Sequence, residues 1–373
     1  MRVIFWAAAA FIGYTYVGYP AWLWVRSRWR PRPVSTAPYL PFISIVLVVR
    51  NEATSLRPKL KSLLDLDYPA DHAEILVVSD GSIDETNYIL SEFAVISRFR
   101  MILNQQPRGK ASGLNDAVKT ACGEIVVFTD ARQRIGRDAV RLLMENFADP
   151  EVGCASGELM LGDPDRGEAI RGMGLYWKME KLVRELESAS GSVVGATGAL
   201  YAVRRNLLAQ LSMETILDDL LVPMRVLRQG WRVVFDPRAQ VWDSPDLGVE
   251  REFARKVRTL SGNYQLLQLE PWLLSNENPA RFAFVSHKLL RLLVPFALCA
   301  TLVASFFVHE PIYRIAFIGQ VAFYGLSAWA LVRPKSGPLA RVAEAAFTFV
   351  LLNTAAALAF ANFISGRKAA WVR

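Results

Sequence analysis

Five short stretches of the chain hold residue types that could do chemistry. Ser79-Asp80-Gly81-Ser82-Ile83-Asp84 follows an apolar run over residues 75–78. Gly81 permits a tight turn against a ligand, and a fixed Asp80 carboxylate could accept a hydrogen bond from a nucleobase N–H. Asp80 and Asp84 are therefore candidate substrate contacts, although an aspartate in a turn also caps a following helix. Arg108-Gly109-Lys110, with Asn115 beyond it, places a lysine on a glycine loop. That suits a diphosphate, but equally a solvated surface lysine. Thr129-Asp130-Ala131-Arg132 ends the run at residues 125–128. One carboxylate there could hold Mg²⁺ or Mn²⁺, which take one or two carboxylates plus phosphate oxygens. Asp218-Asp219 opens a helical stretch. The helix dipole stabilises such acids, while proximity and burial can raise one into the range of a general base. Arg255-Lys256-Val257-Arg258 gathers cations that would suit a leaving diphosphate, or a lipid surface.

The elements that position these residues alternate. Apolar runs at 43–49, 75–78, 101–103 and 125–128 read as short buried strands, and helical spacing appears at 60–66, 84–93 and 113–120. Buried strands alternating with helices predict an α/β domain with a mostly parallel sheet and helices on both faces. Ligands bind such sheets beyond the carboxyl ends of the strands, where Asp80 and Asp130 fall. Farther on, residues 169–186 predict a long amphipathic helix, 217–227 and 250–269 further helices, and 231–236 a strand.

The 373-residue chain is 52% apolar, and the excess sits at its two ends. Residues 3–25 and the runs at 289–308, 312–332 and 342–361 approach the ~20 residues that cross a bilayer. The chain divides into an N-terminal membrane helix (1–25), a basic proline-containing linker (26–41), a catalytic domain (42–285), about three C-terminal membrane helices (286–365) and a basic tail (366–373). Arg26, Arg28, Arg30 and Arg32 follow the first run and predict a cytoplasmic domain on the inner membrane. The net charge of +8 is accordingly read as membrane orientation and lipid contact, not nucleic-acid binding. The three cysteines form no CxxC and suggest neither a disulfide framework nor a zinc site.

Taken in order, strand–SDGSxD, GK…N, strand–TDA, GALYA, DDL, RKVR and then apolar helices, the motifs resemble those of family 2 inverting glycosyltransferases with a GT-A, Rossmann-like fold. The resemblance covers about residues 44–268 and is closest to membrane-bound polysaccharide and lipid-linked glycan synthases. It implies that Asp80 contacts a uracil ring, that Asp130 leads a DxD-type metal motif, and that Gly198 and Tyr201 belong to the loop beside sugar and acceptor. It further implies that Asp219, paired with Asp218, is the general base, and that Arg258, with Arg255 in the same QxxRW-type segment, holds the diphosphate. Two motifs depart from the pattern: the last DxD position is Arg132, and QxxRW reads Arg255-Lys256-Val257-Arg258-Thr259, with Arg255 in place of Gln and Thr259 in place of Trp.

The expected function is transfer of a sugar from a nucleotide-diphosphate sugar, read as a UDP-sugar, to a hydroxyl of a lipid-linked or membrane-proximal glycan. The Thr259 departure implies addition of one or a few sugars. A processive polysaccharide synthase is the alternative within the class, and a non-catalytic nucleotide-sugar-binding regulator the alternative outside it. A nucleotidyltransferase would carry glycines near the first strand, and residues 46–51 have none.

Overall fold

A computed structural model describes residues 1–163, 168–169, 175–243, 249–332 and 337–366. The tail at 367–373 and the basic residues Arg333 and Lys335 lie outside the described residues, as does the stretch 170–174 of the helix expected over 169–186.

The helices of the chain are α1 (Arg2–Gly13), α2 (Tyr19–Trp29), α3 (Ala53–Leu64), α4 (Thr86–Phe93), α5 (Lys110–Thr120), α6 (Ala139–Glu145), α7 (Leu175–Ser190), α8 (Asp218–Arg228), α9 (Val249–Leu269), α10 (Arg281–Phe284), α11 (Leu290–Phe307), α12 (Pro311–Trp329) and α13 (Pro338–Ile364). The strands are β1 (Ile43–Val49), β2 (Ala73–Asp80), β3 (Phe99–Asn104), β4 (Ile125–Thr129), β5 (Arg134–Ile135), β6 (Val152–Asp163), β7 (Glu168–Ala169), β8 (Leu200–Arg204) and β9 (Arg232–Asp243). Among the described residues they form one nine-stranded sheet in the order β3-β2-β1-β4-β8-β6-β9-β5, with β7 paired to β6. The pairs among β1, β2, β3 and β4 are parallel, as is β6 with β9, whereas β8 and β5 run against their neighbours.

β1 shows why the parallel half forms. Its sequence ISIVLVV is β-branched almost throughout and buried along its length, as expected for a strand covered on both faces. Ile43, Ile45, Leu47 and Val49 point into a core shared with α3, α4 and α6. Val46, and Val48 at its margin, join the opposite core with α5 and α8. The alternation therefore sets two hydrophobic layers, one on each sheet face, and leaves the strand tips as the polar edge.

The structure differs from the sequence reading at several elements. Ala169 lies in β7, not in the expected helix. The helix expected at 60–66 begins earlier, at Ala53, and ends at Leu64. β9 runs on to Asp243 instead of stopping at 236. The basic stretch after α2 is no loose linker. It has no helix or strand, but Arg32 N–H donates to Ala189 O at 2.8 Å and Ser35 N–H to an Asp149 carboxylate oxygen at 3.2 Å.

Three helices among the described residues are long and apolar enough to cross a membrane: Arg2–Trp29, which joins α1 and α2 through a π-helical turn, Arg281–Phe307, and Leu339–Ile364. α12 lies between the last two. The amphipathic α7 and α9 form the junction, since α7 packs on β9 and α2 while α9 packs along α13.

Candidate active site

The carboxyl ends of β1 and β4, the N-termini of α5 and α8, and one face each of α7 and α9 enclose a cavity of about 490 Å³. This is the size of an ordinary small-molecule site.

The loop at the start of α5 is built around Asp80. This residue ends β2 and is 1% exposed. Its two carboxylate oxygens accept the backbone N–H groups of Arg108 and Gly109, each at 2.8 Å. Gly81 turns at φ +65°, where a Cβ would meet Pro107 N at 2.4 Å. Asp80 thus grips the loop that delivers Lys110 and does not line the cavity. Asp84 is likewise turned to the backbone, accepting Thr86 N–H at 3.0 Å and Ala53 N–H at 3.2 Å, so it caps the starts of α4 and α3. Asn115 forms a two-way clasp with Leu211, accepting its N–H and donating to its carbonyl, both at 2.8 Å.

Lys110 reaches into the centre of the cavity. Its Nζ lies 3.0 Å from Asp130 Oδ1 and 3.2 Å from Asp218 Oδ1. Burial alone would push the ammonium down, but Asp130, Asp218 and Asp219 together hold it well above the usual lysine range, so it stays charged.

α8 opens on Asp218 and Asp219, and its chain entry is fixed by Ala196 N–H, which donates to Asp219 O at 2.7 Å. Asp218 is buried and also accepts from Tyr201 Oη at 3.2 Å. Tyr201 is itself fully buried and stacks on Phe128, so its hydroxyl serves Asp218 from behind. Asp219 faces the cavity across Gly198. A Cβ at Gly198 would stand 2.9 Å from Asp219 Oδ2, so only glycine leaves that carboxylate its place. Burial, and then the Asp218 charge, raise Asp219 from 3.8 to about 6 against the opposing pull of Lys110. Of two adjacent carboxylates, one is thus paired with a lysine and a tyrosine hydroxyl and the other is raised toward neutrality.

Asp130 directly follows β4, with its side chain 38% exposed on the cavity wall. Arg132 does not mimic a second acidic ligand. Its guanidinium pairs with Asp243, the last residue of β9, which is 2% exposed. Gln133 Nε2 donates to the same carboxylate at 3.3 Å, and Arg255 lies 3.6 Å from it. Two of the residues that depart from the family pattern, Arg132 and Arg255, therefore converge on one buried aspartate and tie the β4 tip to α9. Among the described residues no group of three or more His, Cys, Asp or Glu is arranged to hold a metal. The donor set fits a cation that takes one carboxylate from the protein and completes its shell with phosphate oxygens and water. Arg258, one turn along α9 from Arg255, lines the cavity with Asp218, Asp130 and Asp219 in electrostatic reach.

The sequence reading missed several participants. Lys59 is 3% exposed, and its Nζ donates to Thr129 Oγ1 at 2.8 Å and Gln133 O at 2.7 Å, clasping both ends of the Asp130 loop. Burial pushes it down to about 7 despite Asp130. Its signal was present, since Lys59 shares the helical face of Leu56, Leu60 and Leu63. Trp177, Glu180, Lys181 and Arg184 of α7 form the membrane-side wall, and nothing local in the sequence points them there.

Residues 44–212 match the family model described as glycosyl transferase family 2. Among curated proteins, the poly-beta-1,6-N-acetyl-D-glucosamine synthase of Staphylococcus epidermidis is 25% identical over 234 residues, 62% of this chain and 56% of that protein. The synthase of the same name from Staphylococcus aureus is 23% identical over 247 residues, 65% of this chain and 60% of that protein. The chain thus matches under two thirds of the length of these relatives. Among solved structures, the mannosyltransferase PcManGT from Pyrobaculum calidifontis, in complex with GDP-Man and Mn²⁺, has a TM-score of 0.73 and 23% identity. It covers 98% of this chain and 99% of that one, a likeness of fold. The match to glycosyl transferase family 2 thus spans β1 to β8, on a GT-A fold whose strand ends hold the cavity and which is joined to apolar helices.

Proposed function

We propose that the chain is an inverting glycosyltransferase that moves a sugar from a nucleotide-diphosphate sugar to a hydroxyl of a lipid-linked or membrane-proximal glycan, at the cytoplasmic face of a membrane. The observation that carries this reading is the pair Asp218–Asp219 at the head of α8, one carboxylate tied to Lys110 and the other raised to about 6 and facing the cavity over Gly198. A base with that affinity is ionised near neutrality yet still accepts a proton. Asp219 takes the proton of the acceptor hydroxyl, and that oxygen attacks the anomeric carbon from the face opposite the diphosphate. The bond to the diphosphate breaks as the new one forms, with no covalent intermediate on the protein. Arg258 and Lys110 balance the charge that gathers on the leaving group, the electrostatic part of the catalysis. Asp130 would hold Mg²⁺ or Mn²⁺, which when bound supplies further stabilisation of the diphosphate. Asp80 acts through the Lys110 loop, so the nucleobase is read by other groups. The Arg26, Arg28, Arg30 and Arg32 cluster after the first apolar helix supports the cytoplasmic orientation.

The test is to supply purified protein in detergent with UDP-, GDP- and dTDP-sugars and Mn²⁺ or Mg²⁺, and to measure free nucleotide diphosphate. Release from one donor is expected, and release from none with a folded protein would refute the enzyme reading.

A second reading, processive synthesis, is favoured by the polysaccharide synthases among the relatives. Thr259, exposed on α9 where processive members carry tryptophan, speaks for short products. Mass spectrometry of the product made from one donor separates the two: one or a few added sugars, or a long homopolymer.

A further inference from the structure

A second large cavity, of about 450 Å³, lies away from the active site. It opens where the helices Arg2–Trp29 and Arg281–Phe307 meet the domain, at the expected level of the bilayer surface. Exposed Trp22, Trp24 and Trp29 flank that level, as tryptophans do at membrane interfaces. The wall sets three cations, Arg26, Arg32 and Arg232, beside the apolar Leu23, Trp231 and Phe282.

The Arg232 charge is only loosely paired. Arg232 is 5% exposed, and its guanidinium donates only to carbonyls: Arg32 O at 2.7 Å, Gly191 O at 3.2 Å and Pro33 O at 3.3 Å. The nearest carboxylates, of Asp149 and Glu151, stand off at 3.7 and 3.9 Å. Glu151 is engaged by Arg32 at 2.8 Å. Glu187, also on the wall, already accepts from Tyr19 Oη at 2.7 Å and contacts His287 Nδ1 at 2.9 Å. Arg26 lies over the Trp22 ring, 5.1 Å from its centroid, and is in no ion pair among the described residues. Arg232 is buried without a hydrogen-bonded counter-charge, which is costly, while Arg26 is exposed at the cavity edge, and an anion entering the cavity would pair with both. The half-apolar wall suits the glycerol and first methylenes attached to such an anion, and the level at which the cavity opens suits a lipid.

We propose that this cavity binds the phosphoryl headgroup of an anionic phospholipid, held by Arg26 and Arg232 with Arg32 beside them. It is a lipid site distinct from the sugar-transfer site. Its occupation would fix the pitch of α2 against α7, because Arg26 is on α2 and the residues after α7 form the cavity's other side.

The experiment is native mass spectrometry of the full-length protein in detergent, titrated with phosphatidylglycerol or with phosphatidylcholine. One phosphatidylglycerol should bind in preference to phosphatidylcholine. Arg26→Gln should weaken it about tenfold, the loss expected for one charge-assisted contact, and Arg26→Glu should abolish it. Arg2→Gln, at the opposite end of the same helix beside Glu310, should leave it unchanged. Arg26 makes no ion pair that folding would lose, and a thermal melt of each variant checks this. Equal binding of the two lipids, or equal loss in the Arg26 and Arg2 variants, would overturn the site. Displacement of phosphatidylglycerol by millimolar glycerol phosphate would overturn the lipid assignment and mark the cavity as a site for a soluble phosphate ester.

Discussion

Replacing Asp219 by asparagine keeps the shape of the side chain and removes its charge, so it separates chemistry from architecture. The carboxyl group is raised from 3.8 to about 6 by burial and by Asp218. The sign follows from linkage: a carboxylate whose folded value is raised favours the folded state below the unfolded value, and that advantage is lost as pH rises from 3.8 to about 6. Above pH 6 the native protein carries a charge it holds unwillingly. A rise of that size corresponds to about 3 kcal/mol, and solvent screening at the cavity wall reduces it to about 1–2 kcal/mol. Asp219→Asn should therefore raise the melting temperature at pH 7.5 by roughly 2–8 °C, with the gain shrinking as pH falls toward 4. Transfer to acceptor should drop ~100- to 10,000-fold, the usual contribution of a general base. Donor binding should change little, because in the proposed mechanism Asp130, Lys110 and Arg258 hold the diphosphate. The native enzyme's rate should rise with pH through about 6 and then level. The assay pairs transfer rate, donor binding and melts at two pH values on one mutant. Near-native transfer would assign the proton to another group, with Asp218 next. A lower melting point at pH 7.5 would refute the idea that the site holds Asp219 against its ionisation.

Asp130→Asn should abolish transfer, as should EDTA on the native protein, and full activity in excess EDTA would remove the metal from the mechanism. Lys59→Met fills the same buried space but releases Thr129 and Gln133 from the lysine clasp, so donor KM should rise about tenfold, the scale of one lost charge-assisted contact. An unchanged KM would make Lys59 a packing residue only. Cys122 is exposed on the catalytic domain. A membrane-impermeant maleimide should label it in inverted vesicles and not in intact cells, and labelling of intact cells would reverse the proposed orientation.

The parts of the site that were legible lie at the ends of strongly patterned elements. Asp130 follows a β-branched strand and Asp218-Asp219 starts an amphipathic helix, so local periodicity alone puts them on the functional edge. Asp80, Asn115 and Tyr201 were recognisable as special, yet the structure turns each to backbone or to Asp218. A polar residue at a strand tip looks the same in sequence whether it faces a ligand or the loop that carries one. The Asp243 clasp was not legible, because it joins residues more than a hundred positions apart. Nor was β6, whose VGCASGELMLGD breaks the apolar alternation with glycines and pairs with β9 through register shifts.

The packing of α9 along α13 makes the cavity-lining arginines of α9 one end of a lever. Tyr264 stacks on Phe363 of α13 at 5.0 Å and marks the fulcrum. Arg255 sits on the same rod nine residues away, a lever arm of about 13 Å at helical rise. Apolar helices tilt to match the thickness of the bilayer around them. Rotation of about 5° about Tyr264 would carry Arg255, and Arg258 behind it, through about 1 Å, a displacement worth about a hundredfold in rate at an enzyme site. Bilayer thickness then enters the kinetics as a mechanical variable, and the same chain should transfer sugar at different rates in short-chain and long-chain lipid.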